Sequence, residues 1–347
     1  MLWLFFLPLS CLYYAVASLR NFCYSSGLLR AHRLPRPVVS VGNLTVGGTG
    51  KTPTTLWLAQ QLEEHGLKVA ILSRGYKRRG RRPVILEPRT QEDADSTSDR
   101  ELLGVGDEPF MMARIYGRRV GVGKRRERAA EQLLQPANVD VFLLDDGFQH
   151  RRVKRDVDLL LLGNDAMGWV LPAGPFRESK RAFRRADLYL ITDNEEHWAS
   201  WLPEDRLPVT FRGSLQAKSL LAFESNRWKE CPLNLLDRRK ILTVTGIANP
   251  ASFYQMIQDW EGQFVGALEF PDHHVYSSSD WQRINRDARG ADYIITTEKD
   301  IVKLIRFPFA RGKLLALRVA MVVQNGAALI DRVVKNVSPV QTKGGYK

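Results

Sequence analysis

Past two prolines at positions 35 and 37, Val38-Val39-Ser40-Val41 makes a short, unbroken apolar run that stops at Gly42. Thr54 to Glu64 then spaces its apolar residues as a helix does, which predicts a buried strand, a glycine loop and a helix in that order. Similar runs at Lys68–Leu72, Arg118–Val122, Val139–Leu144, Val157–Leu162 and Leu188–Thr192 predict further strands, with helical spacing at Glu108–Ile115 and Glu127–Leu134 between them. Strands that are apolar throughout and alternate with helices belong to parallel sheets covered on both faces. Residues 31–203 are therefore expected to form a mostly parallel, three-layer α/β sandwich. From about Pro203 the pattern shifts to Arg, Ser and aromatic residues, then resumes with Lys240–Thr245, a helix near Ala251–Trp260 and Tyr293–Thr296. These predict a second, smaller α/β unit over residues 204–347. Gln91–Glu101, acidic and rich in Ser and Thr with no apolar period, reads as an exposed loop. No internal repeat is visible.

The first nineteen residues carry no charged side chain and are rich in Leu, Phe, Tyr and Trp. A bilayer-crossing helix needs roughly 20 apolar residues, so Met1–Leu19 is borderline, and Pro8 weakens it further. Three readings stand: a span, a helix lying in the interface, and a buried helix of a soluble domain. A cleaved signal peptide lacks the basic start it requires. The basic residues Arg20, Arg30, Arg33 and Arg36 follow the run and would keep the remainder on the cytoplasmic side of a membrane. Residues 1–30 are accordingly set apart as a membrane-associated N-terminal helix.

The chain has 347 residues and a formal net charge of +13, from 51 Lys and Arg against 38 Asp and Glu. This excess favours an anionic partner: nucleic acid, acidic lipid or a phosphorylated substrate. Three cysteines, Cys11, Cys23 and Cys231, form neither an even disulfide framework nor a zinc spacing, which points to a reducing compartment.

The richest stretch for chemistry is Ser40 to Pro53. Gly47, Gly48 and Gly50 permit a loop whose backbone N–H groups turn inward at a helix start, as phosphate binding requires. Thr45, Val46, Gly47, Gly48, Thr49, Gly50, Lys51 and Thr52 are the candidate ATP-binding residues, with Lys51 reaching the β- and γ-phosphates and Thr52 a magnesium ion. The common P-loop pattern has glycine where this chain has Thr45, so the match is a variant. A glycine turn that merely precedes a lysine is the plain alternative.

Val141-Phe142-Leu143-Leu144-Asp145-Asp146 is an apolar strand ending in two acids at the edge where such sheets bind ligands, as a Walker B strand does. Asp107, in Gly106-Asp107-Glu108-Pro109, reads either as the N-cap of a helix or as a general base for an attacking hydroxyl. Glu178, in the Pro172–Glu178 loop, reads as a second magnesium contact or a solvated loop residue. Asp272-His273-His274 suggests a tuned acid–base pair, with surface histidines as the alternative.

In order and spacing these segments resemble the tetraacyldisaccharide 4'-kinase family, the lipid A kinases of Gram-negative bacteria. The resemblance covers nearly the whole chain. It rests on Ser40–Pro53, Gly106–Pro109, Leu144-Asp145-Asp146-Gly147-Phe148-Gln149-His150, Pro172–Glu178, Asp272–His274 and Thr297-Glu298-Lys299-Asp300. Thr45 is itself typical of that family. The resemblance implies transfer of the ATP γ-phosphate to the 4'-hydroxyl of a tetraacylated glucosamine disaccharide 1-phosphate, giving lipid IVA at the cytoplasmic face of the inner membrane. It implies Asp107 as base with a histidine of the Asp272 motif, His273 before His274, and Lys51 on the phosphates. Thr52, Asp145, Asp146 and Glu178 would surround Mg2+. Basic clusters at Lys77–Arg82 and Lys180–Arg185 would then meet anionic headgroups. A membrane-associated P-loop switch ATPase or GTPase is the competing class; it needs no acceptor-side base. A nucleic-acid-binding ATPase draws no support from the uncharged, aromatic N-terminus. Neither a nucleic-acid partner nor an obligate protein partner is expected.

Overall fold

The computed structural model describes residues 3–88, 99–135, 138–163, 168–258, 260 and 262–337. Most of the loop expected at Gln91–Glu101 lies outside these residues, and Asp99 already opens a helix. The order begins with α1 (Trp3–Ser25), β1 (Val38–Asn43), α2 (Lys51–Glu64), β2 (Val69–Ser73), β3 (Val84–Leu86), α3 (Asp99–Val105) and α4 (Asp107–Arg114). It continues with β4 (Val120–Val122), α5 (Arg126–Leu134), β5 (Val141–Asp145), β6 (Val157–Leu162), β7 (Leu188–Ile191), α6 (Glu195–Trp201), β8 (Thr210–Glu224) and β9 (Arg227–Cys231). The remaining elements are β10 (Lys240–Thr245), α7 (Pro250–Gln258), β11 (Gln263–Glu269), α8 (Ser278–Asp287), β12 (Tyr293–Thr297), α9 (Glu298–Leu304), β13 (Leu314–Gln324) and α10 (Gly326–Val337).

All of these strands join one sheet in the order β11-β10-β12-β13-β8-β7-β6-β1-β5-β2-β4-β3, with β9 beside β8. The pairs β8–β13, β8–β9 and β3–β4 are antiparallel and the others parallel. The fold is thus the mostly parallel α/β arrangement that the apolar runs predict. The central strands β1, β5 and β6 are buried at every position, as expected with helices on both faces.

The change of pattern at Pro203 has a physical cause. The first half of β8 alternates the exposed Arg212, Ser214, Gln216 and Lys218 with partly buried Gly213, Leu215 and Ala217, so it lacks a continuous apolar run. Pairing with β13 turns this stretch into a ribbon that carries the sheet from one half to the other.

Register brings the chemistry to one edge. Val41 of β1 lies beside Asp145 of β5, so the glycine loop and the paired acids leave neighbouring strands at the same end. Helix α2 packs on this sheet through the fully buried Leu58, Ala59 and Leu62, each leucine contributing about 1.5–3 kcal/mol by burial. Helix α1 runs 23 residues, and among the described residues no helix is long and apolar enough to cross a membrane.

Gly42 closes the junction between the two motifs. A Cβ there would stand 2.7 Å from both the backbone nitrogen and the Cβ of Phe148, whereas one at Gly104 in α3 meets nothing within 4 Å. Gly42→Ala should therefore lower stability by about 1–3 kcal/mol. Gly104→Ala should be neutral or raise it by about 0.5–1 kcal/mol. Chemical denaturation of both variants checks the contrast.

Candidate active site

The glycine loop is built as an anion cradle. Gly47 and Gly50 take positive φ values of 118° and 78°, and Gly50 is the N-cap of α2. Such dihedrals favour glycine and turn the backbone toward the helix axis, where the positive end of the helix dipole lies. Lys51 Nζ reaches the Gly47 carbonyl at 3.2 Å and stands 3.9 Å from Asp146 Oδ1. Burial pushes the lysine's pKa down, against the pull of Asp146.

A second segment holds the loop in place. Val46 N–H donates to the Pro175 carbonyl at 2.9 Å, Arg177 N–H donates to the Leu44 carbonyl at 2.8 Å, and Thr45 bridges Phe176. The Pro172–Glu178 motif is therefore the backbone partner of the phosphate loop. From it, Arg177 sends Nη1 to both oxygens of Asp146 at 2.8 and 2.9 Å. Helix α1 is fastened to this same segment. Ser10 Oγ donates to the Val170 carbonyl and accepts the Ala173 N–H, and Tyr13 Oη donates to the Arg177 carbonyl at 2.8 Å.

Glu178 is occupied by these supports. Its Oε2 accepts from Asn21 Nδ2 and Arg185 Nη1, each at 2.7 Å, and Arg20 lies 3.7 Å from Oε1. No hydrogen bond or ion pair joins it to Thr52, Asp145 or Asp146 among the described residues. In the structure it anchors α1 through Oε2, and its buried Oε1 has no hydrogen-bond partner among the described residues.

The two acids at the end of β5 differ sharply. Burial raises the Asp146 pKa, but Lys51 and Arg177 outweigh it and hold the carboxyl below the usual range. Asp145 is 2% exposed, accepts from Thr55 Oγ1 at 3.3 Å and makes no ion pair among the described residues. Burial, with Glu108 and Asp146 nearby, pushes its carboxyl up to about 7. A buried, under-compensated carboxylate at the end of the strand next to β1, which leads into the phosphate loop, is a hard-oxygen position that suits a divalent cation.

Behind them, burial pushes the Arg126 guanidinium down to about 10, although Asp146 favours its charge. His150, 3.3 Å from Arg126, is lowered to about 3 by burial and then by Arg126, Arg155, Arg152 and Arg74, so it stays neutral. Arg126 does not stand out in the sequence, where it reads as one polar position at a helix start, whereas His150 closes the Leu144–His150 motif.

Across the site stands α4. Its N-cap is Gly106, at φ 93°, so Asp107 is the first helical residue and not the cap. Asp107 Oδ2 and Oδ1 lie 2.7 and 3.0 Å from His273 Nδ1. An ionised carboxylate partner makes Nδ1 the protonated nitrogen, leaving Nε2 toward Asp272 at 3.7 Å. Burial opposes ionisation of Asp107, yet the His273 hydrogen bond and the charges of Lys303 and Lys299 hold it well below the carboxylate range. His274 does other work: its Nε2 meets Asp280 Oδ2 at 3.0 Å, and Asp280 belongs to the capping box of α8. Of the two histidines, His273 alone meets Asp107.

The Thr297–Asp300 motif, whose role the sequence leaves open, begins α9 and packs against α4. Lys299 pairs with Glu108, and Tyr116 Oη donates to Glu298 Oε1 at 2.7 Å. The charge of Glu108 in turn acts on both Lys51 and Asp145, which ties α4 electrostatically to the phosphate loop. A small cavity of about 50 Å³ opens at Asp107 and His273, walled by Tyr76, Leu102, Val275 and Lys303 among others.

A glycine loop with its lysine, a neighbouring acid strand and a carboxylate–histidine pair facing a cavity together define a P-loop phosphotransferase. Comparison with known proteins carries this further. Residues 2–338 match the family model LpxK, tetraacyldisaccharide-1-P 4'-kinase. The tetraacyldisaccharide 4'-kinase of Pelobacter propionicus is 38% identical over 334 residues, covering 93% of this chain and 90% of that protein. That of Actinobacillus succinogenes is 32% identical, covering 94% and 93% respectively. The crystal structure of LpxK from Aquifex aeolicus in complex with ATP superposes with a TM-score of 0.80 at 30% identity, covering 97% of this chain and all of that one. The chain belongs to the LpxK family of tetraacyldisaccharide-1-phosphate 4'-kinases.

The state of Asp145 has a measurable consequence. Its folded pKa lies above the usual value, so the native state binds the proton more tightly, and stability falls as pH rises from about 4 to about 7. Without nucleotide and metal, Asp145→Asn should raise the melting temperature at pH 8. The gain, at most ~4 kcal/mol, should vanish near pH 4. Thermal denaturation across that range checks it.

Proposed function

We propose that this protein transfers the γ-phosphate of ATP to the 4'-hydroxyl of a tetraacylated glucosamine disaccharide 1-phosphate, forming lipid IVA at the cytoplasmic face of the bacterial inner membrane. The observation that carries the reading is the Asp107–His273 pair, at 2.7 Å, in the wall of a cavity, with the adjoining Glu108 acting electrostatically on Lys51 of the phosphate loop. A switch ATPase or GTPase needs a positioned water and has no use for such a pair.

Residues Thr45 to Thr52 cradle the triphosphate, and Lys51 lies against its outer phosphates. The donor set suits magnesium held by few protein oxygens, with Thr52 and Asp145 nearest in kind and Asp146 behind them. When bound, the ion neutralises charge on the phosphates. Asp107 takes the proton of the acceptor hydroxyl as that oxygen bonds to the γ-phosphorus. The bond to the β-phosphate oxygen breaks, and its electron pair leaves on ADP. His273 orients the carboxylate through Nδ1 and spreads the incoming charge.

The N-terminal helix supports a lipid-surface location. It leaves Leu9, Leu12, Val16, Leu19 and Phe22 exposed while Ser10 and Tyr13 are tied to the catalytic segment. In this reading residues 1–30 meet the membrane, residues 31–203 hold the nucleotide, and residues 204–347 close over the acceptor.

Phosphate transfer from γ-labelled ATP to the tetraacyldisaccharide 1-phosphate in mixed micelles tests the proposal. Asp107→Asn should lower kcat by about 10²–10⁴-fold with the KM for ATP unchanged. Lys51→Ala should weaken ATP binding and transfer together. ATP hydrolysis without labelled lipid would favour the switch class, and near-normal turnover in Asp107→Asn would remove Asp107 as base.

A further inference from the structure

One buried carboxylate in the second half of the chain holds both partners of Asp107. Asp300 is fully buried, at 0% exposure. Its Oδ1 lies 2.7 Å from Lys303 Nζ, and its Oδ2 accepts the Gly246 N–H at 2.9 Å and the Thr297 hydroxyl at 2.7 Å. Lys303 Nζ is in turn 3.7 Å from Asp107 Oδ2, the oxygen nearer His273. Gly246 supplies the carbonyl that accepts the His273 backbone N–H at 3.2 Å. From one anchor, then, the fold fixes a cation on the carboxylate and the backbone of the imidazole beside it.

We propose that Lys303 is a positioning residue for phosphoryl transfer: held by Asp300, it fixes Oδ2 of Asp107 and balances its charge so that the carboxylate faces the acceptor hydroxyl. The inference rests on Asp107 being the base. A purely structural ion pair inside α9 would need only Asp300 and Lys303 at their i,i+3 spacing, without Asp107 on the far side of the ammonium. Lys303 also lies in the cavity wall with Asp107 and His273, where an acceptor would meet them.

The charged surroundings of Asp107 set what its removal does. Facing Asp107 are His273 from the segment after β11, with Asp272 across the imidazole at Nε2, and Lys299 and Lys303 from α9, with Asp300 behind Lys303. Glu108, on α4 itself, is taken by Lys299. Tyr76, Lys77 and Arg306 complete the nearby wall, and Lys77 Nζ donates to the Asp272 carbonyl at 3.0 Å. Removing the Lys303 charge leaves Lys299 shared with Glu108, so Asp107 becomes harder to ionise and the acid limb of the rate profile moves to higher pH.

The test is the pH dependence of kcat/KM for the acceptor in the full-length wild type, K303M, K303Q and K303R, with ATP saturating. Either uncharged variant is expected to keep the wild-type KM for ATP and lose about 10–100-fold in kcat. Its acid limb should shift upward by about one pH unit or more. K303R, which keeps the charge, should retain the wild-type limb. K303Q can still bond Asp300 and provides the folded comparison if K303M does not fold. An unshifted limb in K303Q, or equal displacement in K303Q and K303R, would overturn the proposal. Failure of the base assignment is read separately, from near-normal turnover in Asp107→Asn.

Discussion

Crowded negative charge is the constraint on which the site depends. Asp107, Glu108, Asp145, Asp146 and Glu178 lie in the two segments that border the phosphate loop and in the helix facing them, where burial disfavours any charge without a partner. Four of them are met by cations: Asp107 by Lys303, Glu108 by Lys299, Asp146 by Lys51 and Arg177, and Glu178 by Arg185. Asp145 has only the Thr55 hydroxyl, and its raised pKa is the result. The carboxylate left without an ion pair is the one that ends β5 beside Val41 of β1, the strand that leads into the phosphate loop. A protein that binds a metal–triphosphate needs that imbalance, because a fully paired acid has nothing to offer a cation.

These pairings also knit the sheet's two halves together. Lys299 and Lys303 come from α9, at the end of β12, and meet acids on α4 from the other half. The β8–β13 ribbon connects the same halves through the sheet itself, and Leu215 and Met321 of that ribbon lie against Gly50 of the phosphate loop. The geometry of the site and the joining of the sheet's two halves thus use the same contacts. On the opposite side, α1 is tied to the segment that pairs with the loop, so the apolar N-terminus is mechanically continuous with Arg177 and Asp146.

The nucleotide half was largely legible in the sequence because its strands are buried on both faces and read as unbroken apolar runs. β1, β5 and β6 and the glycine loop lie where the pattern places them. The ribbon was not read from the sequence: the first half of β8 carries polar side chains on an exposed face and gives no continuous run, and β13, although apolar but for Arg318 and Gln324, is tied to it only by the fold. At the site, Asp107 and His273 were visible as acid and histidine motifs, but 166 positions separate them and only the fold joins them. Glu178 shows the same limit. Its place next to Arg177 marks it as a candidate ligand, and only the fold adds that Asn21 and Arg185 bind its Oε2. Lys303 had no local signal beyond its spacing from Lys299 and Asp300 on one helix.

In the proposed mechanism one buried carboxylate delivers the acceptor oxygen directly to a γ-phosphate held in line by the loop, with no phosphorylated side chain between them. The stereochemical course tests this most directly. A γ-phosphate made chiral with oxygen isotopes would be transferred to the tetraacyldisaccharide 1-phosphate and the configuration at phosphorus determined in the product. Inversion is the predicted result, because a single displacement reverses phosphorus once. Retention would require two displacements through a phosphorylated residue, His273 among the candidates, and would contradict the account.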